Sequence, residues 1–234
     1  PLIKATNLGL MLGCPNICIK DERQGPTASF KDRQAAVSIA ALKEAGITEM
    51  VVASTGNVAI AYSAFAARAG IKLWAFVTSL VPAVKMREIA LYGSQVIKVT
   101  GSYDNVKRAA SEFAQQRNLY QNMGARSIPS VESMKTIAYE ISEQLTAFLG
   151  TTTNTESENF LWRTPDWYIQ SISGGMGPLG VSKGFSELEE MGFINKNPAI
   201  AAIQTAGCSP MVTSWKKGLE TAEVVEEPRT HIET

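Results

Sequence analysis

Residues 50–77 read MVVASTGNVAIAYSAFAARAGIKLWAFV and contain two short apolar segments with an alanine-rich segment between them. The apolar runs at 50–53 and 73–77 are typical of buried strands. Residues 58–69 predict a helix that ends at Gly70. Two strands that flank a helix at such short spacing form a βαβ unit, and this unit requires a parallel sheet.

The same alternation continues along the chain. Further helices are predicted at 83–91, 103–117, 133–148 and 179–191, and further strands at 95–99, 167–171 and 199–204. The polar stretch 151–159 predicts a surface loop. We therefore expect an α/β fold in which helices cover both faces of a parallel sheet.

Composition limits the classes of function. The 234 residues are 45% apolar, which is enough for a substantial core, and 22 basic residues balance 22 acidic ones. This balance argues against nucleic acid or an anionic membrane as the main partner. No apolar run approaches the ~20 residues that a membrane span requires, and the first residues show no signal-peptide pattern. We expect a soluble cytoplasmic protein.

The cysteine and histidine content argues against a zinc site and against catalysis by histidine. Cys14, Cys18 and Cys208 are odd in number and lack a second pair at zinc-finger spacing, so they are interpreted as reduced packing residues. His231, the single histidine, lies in a polar tail. A Ser/His/Asp triad and a metal site built on several histidines are therefore not expected.

A lysine stands in an unusual place in residues 25–36, GPTASFKDRQAA. Ser29 and Asp32 predict a capping box that opens a helix running to about Ala45. Lys31 then lies in the first turn, where the helix dipole disfavours a cation and lowers the pKa of an amine. A lowered pKa suits a lysine that forms a Schiff base. The alternative is an ordinary solvated lysine.

The STGN loop (residues 54–57) follows a predicted strand and precedes a helix. Its hydroxyl groups, its amide and its backbone N–H groups are suited to a carboxylate, with Asn57 as the helix N-cap. The alternative is an N-cap beside a tight glycine turn without a ligand.

The glycine loop (residues 173–180, SGGMGPLG) predicts a phosphate site, because its N–H groups can surround an anion at the start of a helix. Pro178 suits the first helical position. The loop also matches GxGxxG, but the strand from Ala199 ends in QTA without the carboxylate that would hold a dinucleotide ribose. A monophosphate is therefore favoured over a dinucleotide.

A nucleophilic lysine, a carboxylate loop and a monophosphate site together meet the needs of pyridoxal 5′-phosphate. With these residues the chain resembles the threonine synthases and, more broadly, the fold-type II pyridoxal-phosphate enzymes that include serine and threonine dehydratases. The resemblance covers nearly the whole chain. Its parts are Pro1-Leu2 against the family's TPL, Lys20-Asp21-Glu22, GPTASFKDR against the family's NPTGSFKDR, the STGN loop, residues 82–99, Lys135-Thr136 and the glycine loop.

The resemblance implies a two-lobed fold similar to the tryptophan synthase β subunit. The larger cofactor lobe would comprise residues 1–34 and 131–234, and a smaller mobile lobe would comprise residues 35–130. It implies a threonine synthase-like lyase that converts O-phosphohomoserine to threonine and phosphate. A threonine or serine dehydratase-type ammonia-lyase, another enzyme of β- or γ-replacement and a non-catalytic relative remain as alternatives.

The resemblance also implies a role for each matching residue. Lys31 would bind the cofactor covalently and carry protons, Phe30 would flank its ring, and Asn57 would donate to its phenolic oxygen. The residues implied to hold the cofactor phosphate are Gly174, Gly175, Met176 and Gly177. Those implied to receive the substrate carboxylate are Ser54, Thr55 and Gly56. The cations proposed for a substrate phosphate are Lys85, Arg126 and Lys135.

Two departures from the family pattern leave questions open. The family's Asn-Pro-X-Arg stretch is replaced by SIPS at 127–130, with Arg126 one residue earlier, so the exact substrate is not assigned. Family members continue well beyond this length, and the residue that faces the pyridine nitrogen comes from that later part. We expect a fragment that lacks the C-terminal part of the larger lobe. The expected partners are a small phosphorylated amino acid and a second copy in a homodimer.

Overall fold

The computed structural model describes residues 1–54, 56–150, 152–153, 160–225 and 229–230. Its elements in chain order are β1 (Leu2–Lys4), α1 (Thr6–Leu12), β2 (Cys18–Lys20), α2 (Lys31–Glu44), β3 (Glu49–Ala53), α3 (Asn57–Ala69), β4 (Lys72–Thr78), α4 (Ala83–Leu91), β5 (Gln95–Val99), α5 (Tyr103–Gln116), β6 (Tyr120–Asn122), a 3-10 turn (Gly124–Arg126), α6 (Ile128–Leu149), β7 (Thr152–Thr153), β8 (Phe160–Leu161), β9 (Trp167–Ser171), α7 (Met176–Glu190), β10 (Ala199–Ile203) and α8 (Pro210–Lys216).

A four-stranded parallel sheet has the order β5-β4-β3-β6. In its register Val51 of β3 lies beside Trp74 of β4 and Gln121 of β6. The first connections run from β3 to β4 and from β4 to β5, whereas the next returns to β6 on the other side of β3. The order of the strands therefore reverses between β3 and β6.

Helices cover both faces of this sheet, as the sequence predicts. On one face α2 and α3 bury Ala35, Ile39, Ile60 and Tyr62 against the inner side of β3 and β4. On the other face α5 packs through Val106, Ala110 and Ala114 against Val51 and Phe76. Parallel sheets are stable when both faces are covered in this way.

The later part of the chain forms a second packed region. β9 and β10 pair in parallel, and α6 and α7 pack together around a core that includes Met134, Ile137, Met176 and Phe185. β1 pairs antiparallel with β2, and β7 pairs antiparallel with β8. Within the described ranges, no helix is long and apolar enough to cross a membrane.

Three elements, α4, β5 and β9, have the bounds that the sequence predicts. Three helices begin earlier than predicted, α3 by one residue and α6 and α7 by more. α6 begins at Ile128 instead of 133. Its first turn carries Ser130, a buried polar residue, so the apolar periodicity from which a helix is predicted does not extend to this turn. α7 begins at Met176 instead of 179, so Pro178 occupies the third helical position and not the first.

Both predicted N-terminal helix caps are wrong, whereas the predicted end of α3 at Gly70 is confirmed. Ser29 Oγ accepts the N–H of Lys31 at 3.1 Å. Among the described residues, the Asp32 carboxylate does not accept the N–H of Ser29, as a capping box would require. Asp32 instead accepts the N–H and the hydroxyl of Thr27 at 2.9 and 2.5 Å, which fixes the loop before α2. At α3 the cap residue is Gly56, and Asn57 is the first helical residue.

The loop before α2 is joined to α6 by an ion-pair cluster. Arg33 donates to Glu22 at 2.7 Å and to Glu140 at 2.6 Å, and Lys20 donates to Glu140 at 2.5 Å. The hydrogen bonds from Arg33, and then those from Lys20, lower the pKa of Glu140 from 4.5 to about 2. This cluster ties the helix that carries Lys31 to the second packed region.

The lowered pKa of Glu140 predicts a specific loss of stability in acid. The stabilisation is complete above pH 4.5 and is lost as the pH falls towards 2, because the folded protein must then take up a proton that breaks the pairs. In Glu140→Gln the free energy of unfolding should fall less steeply over this range than in the parent, as measured by urea unfolding. Glu143→Gln, which changes an exposed carboxylate of the same helix, is the control. Equal slopes for Glu140→Gln and the parent would contradict the prediction.

Candidate active site

Lys31 is the first residue of α2, and its side chain is half-buried. Its Nζ atom lies over the ring of Phe30, 4.1 Å from the ring centroid. Burial lowers the pKa of the Lys31 amine from 10.5 to about 8. The sequence attributes a lowered pKa to the helix dipole, whereas the structure attributes it to loss of water around the amine. Roughly a tenth of this amine is therefore uncharged at pH 7, far more than for an ordinary lysine.

The turn before Lys31 has a strained backbone. Ala28 adopts φ 53°, in the left-handed region, at the position where the family pattern NPTGSFKDR has glycine. A Cβ atom in this region costs roughly 1 kcal/mol. The contacts between Thr27 and Asp32 hold the turn in this conformation, so the strain lies directly beside the candidate nucleophile.

The STGN loop lies at the carboxyl end of β3. Ser54 is buried, and its Oγ accepts the N–H of Gly56 at 3.2 Å. The amine of Lys85, from the first turn of α4, lies against Gly56, where a Cβ atom would be only 3.3 Å from Nζ. A hydroxyl, a helix N-terminus and a cation therefore meet at one loop, and all three favour an anion.

This loop lies at the point where the strand order of the sheet reverses. The chain leaves β3 into α3 and leaves β6 through the 3-10 turn into α6. In parallel α/β sheets such a point leaves a crevice at the carboxyl edge, and ligands bind there. Lys31 does not belong to this sheet, since the strand before it, β2, pairs only with β1 among the described residues.

The glycine loop leads from β9 into α7. Gly175 has φ 76°, and the position of a Cβ at Gly174 meets no atom within 4 Å. Met176, the first residue of α7, is buried in the core cluster against which Phe30 also packs. The packing therefore brings the glycine loop and the segment with Lys31 to the same cluster.

Gln170 and Tyr168 of β9 are parts of this region that the sequence analysis missed. A Cβ at Gly177 would lie 2.5 Å from Gln170 Nε2, so the amide rests directly on the first turn of α7. Tyr168 donates its hydroxyl to Gln170 Oε1 at 2.9 Å, and burial raises the pKa of Tyr168 to about 12. A glutamine inside an otherwise apolar strand, WYIQS, is the sequence signal that could have identified them.

The other predicted cations are placed differently. Arg126 is exposed at the end of the 3-10 turn, beside a surface groove of about 330 Å³. Lys135 lies between α6 and α7, where Glu132 and Glu187 bind its amine at 2.5 and 3.0 Å and raise its pKa. Across the described ranges, no hydrogen bond or ion pair joins Arg126 or Lys135 to Lys31, Ser54 or Lys85.

Asn57 is exposed at the start of α3. Thr55, predicted to receive the substrate carboxylate, and His231 lie outside the described residues. Most of the loop predicted at 151–159 also lies outside them, although Thr152–Thr153 forms β7 within its bounds.

A family model described as pyridoxal-phosphate dependent enzyme matches residues 1–234. The chain therefore belongs to the pyridoxal-phosphate dependent enzyme family, and the cofactor predicted from the sequence is confirmed as that of the family. The chain is 29% identical over 231 residues to a threonine synthase of Methanocaldococcus jannaschii, covering 98% of this chain and 53% of that protein. It is 30% identical over 213 residues to a threonine synthase of Mycobacterium bovis, covering 91% of this chain and 54% of that protein.

Solved structures share the fold. A threonine deaminase isoform 2 from Solanum lycopersicum superposes with a TM-score of 0.77 at 22% identity, covering 94% of this chain and 58% of that one. Maize serine racemase superposes with a TM-score of 0.79 at 22% identity, covering 98% and 62%. These structures confirm the predicted fold class. The chain spans about half the length of the curated relatives named above.

The glycine loop predicts a difference between two neighbouring substitutions. Gly175→Ala places a Cβ in the left-handed region and should lower the free energy of unfolding by roughly 1 kcal/mol. Gly174→Ala is the matched control, because its Cβ meets open space and its φ lies outside that region. Urea unfolding of both variants measures the difference. Equal stabilities would show that the conformation assigned to Gly175 is incorrect.

Proposed function

We propose that Lys31 is the active-site lysine of a pyridoxal-phosphate dependent lyase. The observation that carries this proposal is the state of its amine, which is half-buried over the Phe30 ring with its pKa lowered to about 8. An amine in this state is sufficiently uncharged to attack a carbonyl group, and it can later accept or return a proton at Nζ. Lys20 and Lys135, by contrast, are paired with carboxylates.

The residues around Lys31 fit the cofactor. The glycine loop offers backbone N–H groups at the start of a 15-residue helix, with open space beside Gly174, which suits a phosphate. Gln170 and Met176 would hold that loop in place, Phe30 would flank the ring, and Asn57 would face its phenolic oxygen. When bound, pyridoxal 5′-phosphate would supply an electron sink for the electrons released at the substrate's α carbon.

The STGN loop is the proposed site for the substrate carboxylate. The Ser54 hydroxyl accepts the Gly56 N–H, which leaves its own hydrogen free to donate to an anion. Thr55 would add a second hydroxyl. Lys85 would neutralise negative charge at the loop, either that of the carboxylate or that of a phosphate further along the substrate.

The reaction we propose is that of a threonine synthase: O-phosphohomoserine is converted to threonine and phosphate. The names of the relatives that share 27–30% identity support this reaction, and so does the cation beside the STGN loop. Arg126 and Lys135 are proposed as further partners for the substrate phosphate. The division into lobes at 1–34 with 131–234 and at 35–130, the homodimer and the cytoplasmic location remain predictions.

An ammonia-lyase of the threonine or serine dehydratase type is the second candidate. The placement of the cations favours it, since Lys135 already binds two carboxylates and Arg126 is exposed in a separate groove. Lys85 is then the single predicted cation seen at the STGN loop within the described part of the chain. A substrate without a phosphate group would need no further cation at this loop.

Lys31 should be the residue that binds the cofactor covalently. Borohydride reduction of the natural protein followed by peptide mapping should place the pyridoxyl label on Lys31, because its amine has the lowered pKa. Lys31→Ala should lose the yellow colour but remain folded. Label on Lys20 or Lys135 in place of Lys31 would refute the assignment.

The two reactions differ in the product released. A threonine synthase should release phosphate from O-phosphohomoserine, and Lys85→Ala and Arg126→Ala should each lower that rate roughly tenfold or more while the colour is retained, as expected for a lost charge-assisted hydrogen bond. Lys43→Ala, an exposed cation in the last turn of α2, is the control.

Ammonia release from threonine or serine, with no phosphate release from any phosphorylated amino acid, would move the assignment to the dehydratases. Full synthase activity in Arg126→Ala would leave the proposed reaction standing and would refute only the proposed role of Arg126 at the substrate phosphate.

A further inference from the structure

A buried network of polar side chains joins four elements that carry or adjoin the candidate site. Its five side chains are all buried and come from four elements: Gln34, Ser38, Tyr62, Asn122 and Ser130. Tyr62 is at the centre, fully buried. Its hydroxyl donates to Ser38 Oγ at 2.8 Å and accepts from Asn122 Nδ2 at 2.7 Å. Ser130 Oγ accepts from Gln34 Nε2 at 3.1 Å and from Asn122 Nδ2 at 3.2 Å.

Each arm of this network leads to a segment of the candidate site. Gln34 is three residues after Lys31 and therefore lies on the same face of α2. Tyr62 lies in the second turn of α3, which begins at Asn57. Asn122 ends β6, and its Oδ1 accepts the N–H of Gly124 in the turn that carries Arg126.

Helix packing alone does not require such a network. Burying polar groups costs free energy unless they are hydrogen-bonded, and apolar side chains of similar shape would pack α2 against α3 without that cost. Gln34 Oε1, also buried, has no hydrogen-bond partner within the described residues. Because hydrogen bonds are directional, the network specifies one position of the four elements relative to one another.

We propose that the Tyr62-centred network positions Lys31, the start of α3 and the Arg126 turn relative to one another, so that Tyr62 is a positioning residue of the site. This inference rests on the function proposed above. Removing the Tyr62 hydroxyl deprives Ser38 of its donor and Asn122 of an acceptor, and the hydrogen bonds between α3 and both α2 and β6 are lost. Water that satisfies the exposed polar groups would enter beside the first turns of α2.

The test compares Tyr62→Phe with Ser63→Ala in the natural protein. Both variants remove one oxygen from a fully buried residue of α3, but Ser63 Oγ donates only to Ala59 O of its own helix, at 2.7 Å. After removal of the cofactor with hydroxylamine, the pKa of the Lys31 amine is measured from the pH dependence of its competitive labelling by acetic anhydride. Amide hydrogen exchange over residues 28–40 and 120–130 is measured in parallel.

The parent and Ser63→Ala should label with a pKa near 8, and Tyr62→Phe should label with a pKa at least one unit higher, towards 10.5, with faster exchange in both segments. An unchanged pKa in Tyr62→Phe, or an equal shift in Ser63→Ala, would overturn the proposal. If Tyr62→Phe does not fold, Ser38→Ala decides in the same way, because it removes the nearer acceptor of the Tyr62 hydroxyl, which also lies 3.5 Å from Ser130 Oγ.

The outcome is separable from that of the proposed function. Borohydride label on Lys31 with an unchanged pKa in Tyr62→Phe would overturn the positioning role and leave the function standing. Label on another lysine would overturn the function, whatever the variant shows.

Discussion

The parallel alignment of β3 with both β4 and β6 determines where the candidate site can form. Because all four strands run in the same direction, their carboxyl ends share one edge, and the strand order reverses there between β3 and β6, which is where ligands bind in parallel α/β sheets. The STGN loop, Lys85 and the Arg126 turn are therefore near this edge although they are far apart in sequence. Lys31 is positioned differently, through packing of α2 on α3 and of Phe30 on the core cluster of α6 and α7.

The surroundings of Lys31 and Lys135 shift the pKa values of these two lysines in opposite directions. The Lys31 amine loses water without gaining a carboxylate, so its pKa falls, whereas Lys135 gains two carboxylates and its pKa rises. Arg33, only two residues after Lys31, pairs with Glu22 and Glu140, and these pairs anchor the first turn of α2. The same helix thus holds one amine with a lowered pKa and one guanidinium group in ion pairs.

Much of the fold could be predicted from local pattern, but the N-terminal caps and some helix starts could not, and the roles of the site residues remain predictions. The bounds of α4, β5 and β9 follow directly from apolar runs between turn residues. The start of α6 was missed because Ser130 is buried by hydrogen bonds from Gln34 and Asn122, which are distant in sequence. Asp32 matched a capping box by spacing, yet Thr27 is its actual partner. Tyr62 was missed for the same reason, because its hydrogen bonds join elements that are distant in sequence.

The central claim is that burial makes one particular amine reactive. An NMR titration of the lysine side chains in the cofactor-free natural protein, with Lys31→Met to assign the signal, tests it most directly. One lysine should titrate near 8, and its signal should be absent in Lys31→Met. Titration of Lys31 near the ordinary 10.5 would contradict the account.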